Sequence, residues 1–324
     1  MVPNVAPLEE LSAGMVQGFG GKAANLGELI RMGLNVPAGF CIKAKAYYDL
    51  LESNNLPGQI SEIVSIMNFN ELADLEEKTG FIRSLIINAR IPQDLEQQIT
   101  RNYQALQNIS EEEPLVAVRS SVAVKGTTIS SFPGMMDTFH YIRGYDQVLK
   151  KIKECWASLW TARAAFARHH KKIDHSLALI APIIQVMVDS EIAGVMFTIN
   201  PITSSRDEIF IESNWGLGET VVSGQGENDF YLLDKATLST KSSTIAKKLQ
   251  MIVHNRQKGM GCKQVTVSPE KIQEPTLTEP MLKELGATGL RIEAHYAIPQ
   301  DIEWAYYNRR LFVLQSRTAR AFQA

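Results

Sequence analysis

The chain is poor in the residues that staple small folds or build metal centres. It has three cysteines, Cys41, Cys155 and Cys262, and six scattered histidines in 324 residues. Cysteines odd in number and far apart exclude a disulfide framework and suggest a reducing compartment, so a cytoplasmic location is expected. No Cys-x-x-Cys pair or zinc-ligand spacing occurs. No apolar run reaches membrane-spanning length, and the start, MVPNVAPLEELS, lacks the basic-then-apolar plan of a secretory leader. No membrane partner is therefore expected. Charge of one sign is lacking too: 33 Lys plus Arg against 35 Asp plus Glu leave a net charge of −2. Without a basic excess, a protein that works by gripping nucleic acid is not expected. There is no internal repeat and no low-complexity tract.

What remains is an ordinary globular composition, 45% hydrophobic and 21% charged. The length suggests two domains, which we divide at 1–190 and 191–324. A Gly-rich turn, GFGGK (18–22), runs into a helical pattern at Ala23, Leu26, Leu29 and Ile30, with Gly33 placed to cap it. Residues 34–42 read as a loop into a short strand, 46–55 as a helix, 59–108 as helical and 108–114 as a polar loop. LVAVRSS (115–121) reads as a buried strand, and KGTTISSFPGMM (125–136) as a loop or hairpin tip. One long amphipathic helix is expected over 146–170, with Leu149, Ile152, Trp156, Leu159 and Phe166 on one stripe. Strands are expected at 181–188, 193–200 and within 209–234, peripheral strands over 235–275, and a helix over 279–297.

The last segment, QDIEWAYYNRRLFVLQSR (300–317), alternates on both sides of a polar turn. Placing Ile302, Trp304 and Tyr306 on one face with Phe312 and Leu314 requires 304 opposite 314 and 306 opposite 312. This leaves a three-residue loop, Asn308-Arg309-Arg310. It also sets Glu303 opposite Gln315 and Asp301 opposite Arg317, on the face away from the core. A one-residue slip would scatter them.

Three places offer chemistry. Lys22 follows glycines at a helix start, where N–H groups, dipole and ammonium favour an anion. The alternative is a Gly turn with a solvated Lys, since GFGGKAAN is not the P-loop pattern. Arg119 ends an apolar strand and needs a partner, either a phosphate or one of the many carboxylates. Glu303 with Gln315 fits a Mg2+ site, which takes oxygen ligands, and Arg317 one pleat on fits a phosphate oxygen. The alternative is a solvated polar sheet face. GLGET (216–220) is a single Gly turn, no Ser-His-Asp or Cys-His arrangement follows from spacing, and His169-His170 with Lys171-Lys172 read as a solvated helix end.

Together these segments resemble a known family. GGKAANLGEL (20–29), VPAGF (36–40), VAVRSS (116–121), FPGMMDTF (132–139), SLWTARAAFAR (158–168), QVMVDSEIAGVMFTINP (185–201), WGLGETVVSG (215–224) and DIEWA…LQSR (301–317) occur in order. They are similar to the N-terminal ATP-binding domain of the phosphoenolpyruvate synthase, pyruvate phosphate dikinase and rifampin phosphotransferase family. The resemblance implies an α+β ATP-grasp fold, two lobes clamping Mg-ATP. By motif, Lys22 and Arg119 would hold the phosphates, and Gly134 and Thr138 would lie over the nucleotide. Gln185 would sit beside the adenine, Glu303 and Gln315 would bind Mg2+, and Arg317 would touch phosphate. Lys22, Arg119 and Arg317 would be the catalytic cations. The chain departs from the synthase and rifampin pattern at Val124-Lys125-Gly126 and at Thr318-Ala319-Arg320.

The activity implied is transfer of a phosphate of ATP to a histidine on a swivelling domain. The family's histidine sits in a Gly-rich Thr/Ser-His stretch, and TFHYI, ARHHKK, IDHSL, IVHNR and EAHYA do not match it. A phosphohistidine domain in trans, or on a longer chain, is therefore the expected partner. The alternatives are a non-catalytic ATP-sensing subunit and an ATP-grasp ligase-type activating subunit.

Overall fold

The computed structural model describes residues 4–109, 113–124, 137–222, 224 and 226–319. The loop expected at 125–136, with Gly134, lies outside them, as does part of the loop expected at 108–114. The chain forms two compact units. One holds the chain up to Glu28 together with Ala38–Met187, the other Leu29–Pro37 together with the chain from Val188 on.

The first unit contains β1 (Val5–Pro7), most of α1 (Val16–Arg31), β2 (Gly39–Ile42) and α2 (Lys45–Ser53). It continues with α3 (Leu56–Ser65), α4 (Leu72–Asn88), α5 (Gln93–Ile109), β3 (Val116–Val124) and β4 (Phe139–Ile142). It ends with α6 (Tyr145–Ala157), α7 (Ala162–His170) and β5 (Ala178–Val186). The five strands form an antiparallel sheet in the order β1-β2-β5-β3-β4. Helical spacing supplies its cover. Leu75, Thr79, Ile82 and Ile86 of α4 are buried, as are Val148, Ile152, Cys155 and Trp156 of α6. The apolar ones join Val116, Val118, Ile180 and Ile184 of the sheet in one core. Each fully buried aliphatic side chain contributes about 1.5–3 kcal/mol.

The single helix expected over 146–170 is two helices. Thr161 takes an extended conformation (ψ 145°) after the 3-10 turn Ser158–Trp160, and its side chain accepts from the Ala164 N–H at 3.2 Å. A side-chain acceptor at this point caps a new helix. The apolar stripe therefore ends early, and Phe166 is exposed. The turn after α7 buries Arg168, whose Nε donates to His175 Nδ1 at 3.1 Å and whose Nη1 donates to the Leu159 carbonyl at 2.5 Å. The His175 ring stacks between Phe69 and Trp160, with centroids at 5.5 and 5.3 Å.

The second unit contains β6 (Ile192–Phe197), β7 (Glu208–Trp215), α8 (Glu219–Val222), β8 (Asp229–Asp234) and β9 (Thr240–Thr244). It continues with β10 (Gln250–His254), β11 (Cys262–Thr266), α9 (Glu279–Tyr296), β12 (Gln300–Tyr307) and β13 (Arg310–Thr318). Six strands form an antiparallel sheet in the order β13-β12-β6-β7-β8-β9, and β10 pairs with β11 separately. The segment Leu29–Pro37 belongs here. Gly33 (φ 73°) caps α1 as expected: its N–H reaches the Ile30 carbonyl and the Leu34 N–H reaches that of Leu29. Helix α9 lies on one face, close enough that a Cβ on Gly289 would meet Met196 at 2.9 Å. That face also carries Asp229, fully buried and saturated by the Lys248 ammonium at 2.6 Å, the Ala246 N–H, and the Thr276 N–H and hydroxyl.

The terminal hairpin corrects the expected register in its upper half. Asp301 faces Arg317 and Glu303 faces Gln315, but Trp304 faces Val313, Ala305 faces Phe312 and Tyr306 faces Leu311. A bulge follows Glu303, and the loop is two residues, Asn308 and Arg309, with φ of 49° and 59°. Positive φ at both central residues is the type I′ geometry, whose twist suits a hairpin. Phe312 and Leu314 thus leave the face of Trp304. They pack instead on the other face with Val188, Ala193 and Ala305, while Leu311 and Val313 fill the Trp304 side.

Two expectations follow. Burial, then the cations Arg168 and His169, depress the His175 pKa to about 4, against partial relief from Asp174. The unfolded chain, with a histidine pKa near ~6.5, binds the proton more readily. The protein should therefore lose stability as pH falls from about 6.5 towards 4. His175→Asn keeps an acceptor for Arg168 without titrating, and its urea midpoint should fall less over this range than the parent's. Separately, Arg309→Gly removes left-handed strain and should raise the unfolding free energy by about 0.5–1 kcal/mol in urea titration.

Candidate functional site

The first unit gathers Lys22, Arg119 and Gln185 from three distant motifs. Helix α1 is broken at Gly20, whose φ of 76° and ψ of 162° are non-helical. The helix restarts after it. The first N–H groups of a helix lack intrahelical partners, and half-buried Lys22 stands beside them. Gly20 packs directly on Ser121 of β3, which brings the turn to the strand that carries Arg119. Within the sheet Arg119 pairs with Ile183, and Gln185 pairs with Ala117 and with Gly39. The Arg119 guanidinium donates to Gln185 Oε1 at 3.4 Å, and Gln185 is buried. Thr138 is exposed just before β4. Its neighbour Asp137 lies 3.9 Å from Arg83. Cys155 is buried near this cluster, and its thiol is pushed up to about 12 by burial and then Asp137, against the lowering effect of Lys22. It is a thiol, not a thiolate nucleophile.

The second unit holds Glu303, Gln315 and Arg317. Strand pairing runs Gln315–Glu303–Val195–Glu212 across β13, β12, β6 and β7. Directly paired residues point to the same side, so the whole row faces away from α9. Glu303 is half-buried and Gln315 buried. One pleat along, Arg317 Nε donates to Asp301 Oδ2 at 2.7 Å. Burial raises the Asp301 pKa; Arg317 opposes this and Glu303 adds to it. The pair orients the guanidinium while most of Arg317 stays in solvent, its side chain 53% exposed.

Glu212 went unnoticed in the sequence. Its Oε1 accepts from Asn228 Nδ2 at 2.6 Å, and Asn228 in turn accepts from Asn214 at 2.8 Å. Burial raises the Glu212 pKa, and only partly does the Asn228 amide offset it. The signal was present in the alternation of β7, where Phe210, Glu212 and Asn214 share the face opposite Ile209 and Ile211. A carboxylate and a carboxamide oxygen on adjacent strands form a hard-oxygen donor pair. That chemistry suits Mg2+, which needs only one or two protein ligands, and not zinc.

The comparisons agree with a nucleotide reading. A family model described as "Pyruvate phosphate dikinase, AMP/ATP-binding domain" matches residues 16–323. Phosphoenolpyruvate synthase of Pyrococcus furiosus is 39% identical, over 95% of this chain and 43% of its own length. Probable phosphoenolpyruvate synthases of Methanothermobacter thermautotrophicus and Methanocaldococcus jannaschii are each 40% identical. They align over 98% and 97% of this chain, and 46% and 26% of their own lengths. The chain spans less than half the length of these relatives. Among the described residues no helix is long and apolar enough to cross a membrane. With an α+β structure and a family match over nearly its whole length, the chain belongs to the pyruvate phosphate dikinase AMP/ATP-binding domain family.

Proposed function

We propose that the chain is an ATP-grasp phosphotransfer module that takes a phosphate from Mg-ATP and passes it to a histidine on another domain or subunit. The observation that carries this reading is the paired row Glu303–Gln315 beside the Asp301–Arg317 ion pair, on the sheet face away from α9. Two oxygen donors next to an oriented guanidinium are what a metal-bound polyphosphate needs.

The proposed division of labour follows residue by residue. Lys22 and the N–H groups of its helix start hold phosphate oxygens. Arg119 neutralises a further phosphate charge, and its hydrogen bond to Gln185 fixes that side chain beside the adenine. Thr138 lies over the nucleotide. Glu303 and Gln315 hold Mg2+, which supplies charge neutralisation for the phosphate chain. Arg317, oriented by Asp301, meets the phosphate charge that develops during transfer. Such chemistry rests on positioning and electrostatics, and it needs no nucleophile from this chain. The nucleophile is the acceptor histidine: its nitrogen bonds to phosphorus as a phosphoanhydride P–O bond of ATP breaks, and the bridging oxygen leaves with the departing phosphate portion of the nucleotide.

Calorimetry with Mg-ATP tests the reading. The parent should bind, and Lys22→Ala and Glu303→Ala should each weaken binding at least tenfold, about 1.4 kcal/mol. Chelating the divalent ion should weaken binding of the parent but change little in Glu303→Ala. No binding by the parent, or variants that bind like it, overturns the assignment.

A further inference from the structure

The contact between Gly20 and Ser121 is closer than any side chain permits. A Cβ on Gly20 would lie 2.2 Å from Ser121 Oγ, 3.0 Å from its Cβ and 3.1 Å from its carbonyl carbon. Glycine is required here twice, for this space and for the φ of 76°. Ser121 is fully buried, and its hydroxyl has no hydrogen-bond partner among the described residues. An unsatisfied buried hydroxyl is destabilising, because it gives up its hydrogen bonds to water without replacement. Alanine would fit the same strand position without that cost. The hydroxyl therefore opposes stability at a point where β3 touches the Gly-rich turn.

The rest of the turn is already fixed. The Gly18 carbonyl accepts from the Ala44 N–H at 2.7 Å, and the Phe19 ring is buried. Further along α1, a Cβ on Gly27 would lie 2.2 Å from the Leu11 carbonyl oxygen, so the helix is seated on that turn of chain. Between these anchors the backbone at Gly20 decides where the helix restarts. The restart decides where the N–H groups and ammonium of Lys22 point.

We infer that Ser121 is a positioning residue for Lys22, a wedge beneath Gly20 that sets the aim of the phosphate-binding turn. It is too deeply buried to touch phosphate itself. The inference rests on the reading of Lys22 as a phosphate ligand. A shift of the turn by a fraction of an ångström weakens every contact it makes, and misplacement of about 1 Å can cost a hundredfold in rate.

The test measures Mg-ATP affinity by calorimetry and thermal stability of the same full chain. Ser121→Ala should lose five- to tenfold in affinity with its melting temperature unchanged or raised, because an unsatisfied hydroxyl has gone. Ser121→Val, which crowds Gly20, should lose more affinity. If both variants bind within twofold of a parent that does bind, the inference is overturned and the nucleotide reading stands. If affinity falls only in step with the melting temperature, Ser121 is merely structural and the inference is again overturned. A parent that binds no Mg-ATP overturns the nucleotide reading itself.

Discussion

Strand β12 is paired on both edges, and the register of those two pairings governs everything on the second sheet. Gln300 pins it at one end. Its N–H donates to Thr198 Oγ1 at 2.9 Å next to β6, and its side-chain oxygen accepts from the Ser316 hydroxyl of β13 at 2.8 Å. All three residues are buried, so loosening either bond strands a polar group. From there the pleat takes over. Ile302, Trp304 and Tyr306 go to α9, and Asp301, Glu303 and Ala305 go to the other side. A slip of one residue would drive Glu303 into the apolar layer and lift Trp304 out of it. The apolar layer thus specifies the placement of the candidate ligands without touching them.

Much of this was legible in the sequence because period-two and period-3.6 patterns report burial. Gly33 could be read as a helix cap, and the strands at 115–121, 181–188 and 193–200 stood out as apolar runs. The hairpin is more instructive. Reading it without a bulge gave a loop one residue too long, and the bulge after Glu303 restored the count. Glu303 still faces Gln315 because the two discrepancies cancel on the open-end side of the bulge. Near the turn they do not, and Phe312 and Leu314 change faces. Apolar residues stand on both faces of β13, so hydrophobicity alone cannot choose between them. The break at Thr161 was hidden for a similar reason: a lone threonine in a helical pattern is neutral until its hydroxyl finds an N–H.

Contacts of high sequence separation were the least visible. Arg119 and Gln185 were separate motifs in the sequence, and the pairing of β3 with β5 brings them together. Gly20 stood in the sequence as one of several glycines in a Gly-rich turn. Its contact with Ser121 makes it a fixed point, and a glycine used for close approach stiffens a turn. Flexibility in composition and rigidity in place are compatible, because the neighbours and not the residue supply the constraint.

Buried charge is handled in contrasting ways on the two faces of the second sheet. Asp229, on the α9 face, has a fully buried ammonium and four further donors, the Ala246 N–H, the Thr276 N–H and hydroxyl, and the Tyr231 hydroxyl. Every oxygen is satisfied, as a packed interior requires. Glu212, on the opposite face, has the neutral amide of Asn228, and its carboxyl is pushed up by burial. A half-buried carboxylate with no cation bonded to it among the described residues gains from any positive charge that approaches it. It stands in the same row as Glu303, two strands away. The α9 face is therefore electrostatically complete at Asp229, whereas the open face is incomplete at Glu212. That difference supports the proposal that the α9 face packs and the open face receives a metal-bearing ligand.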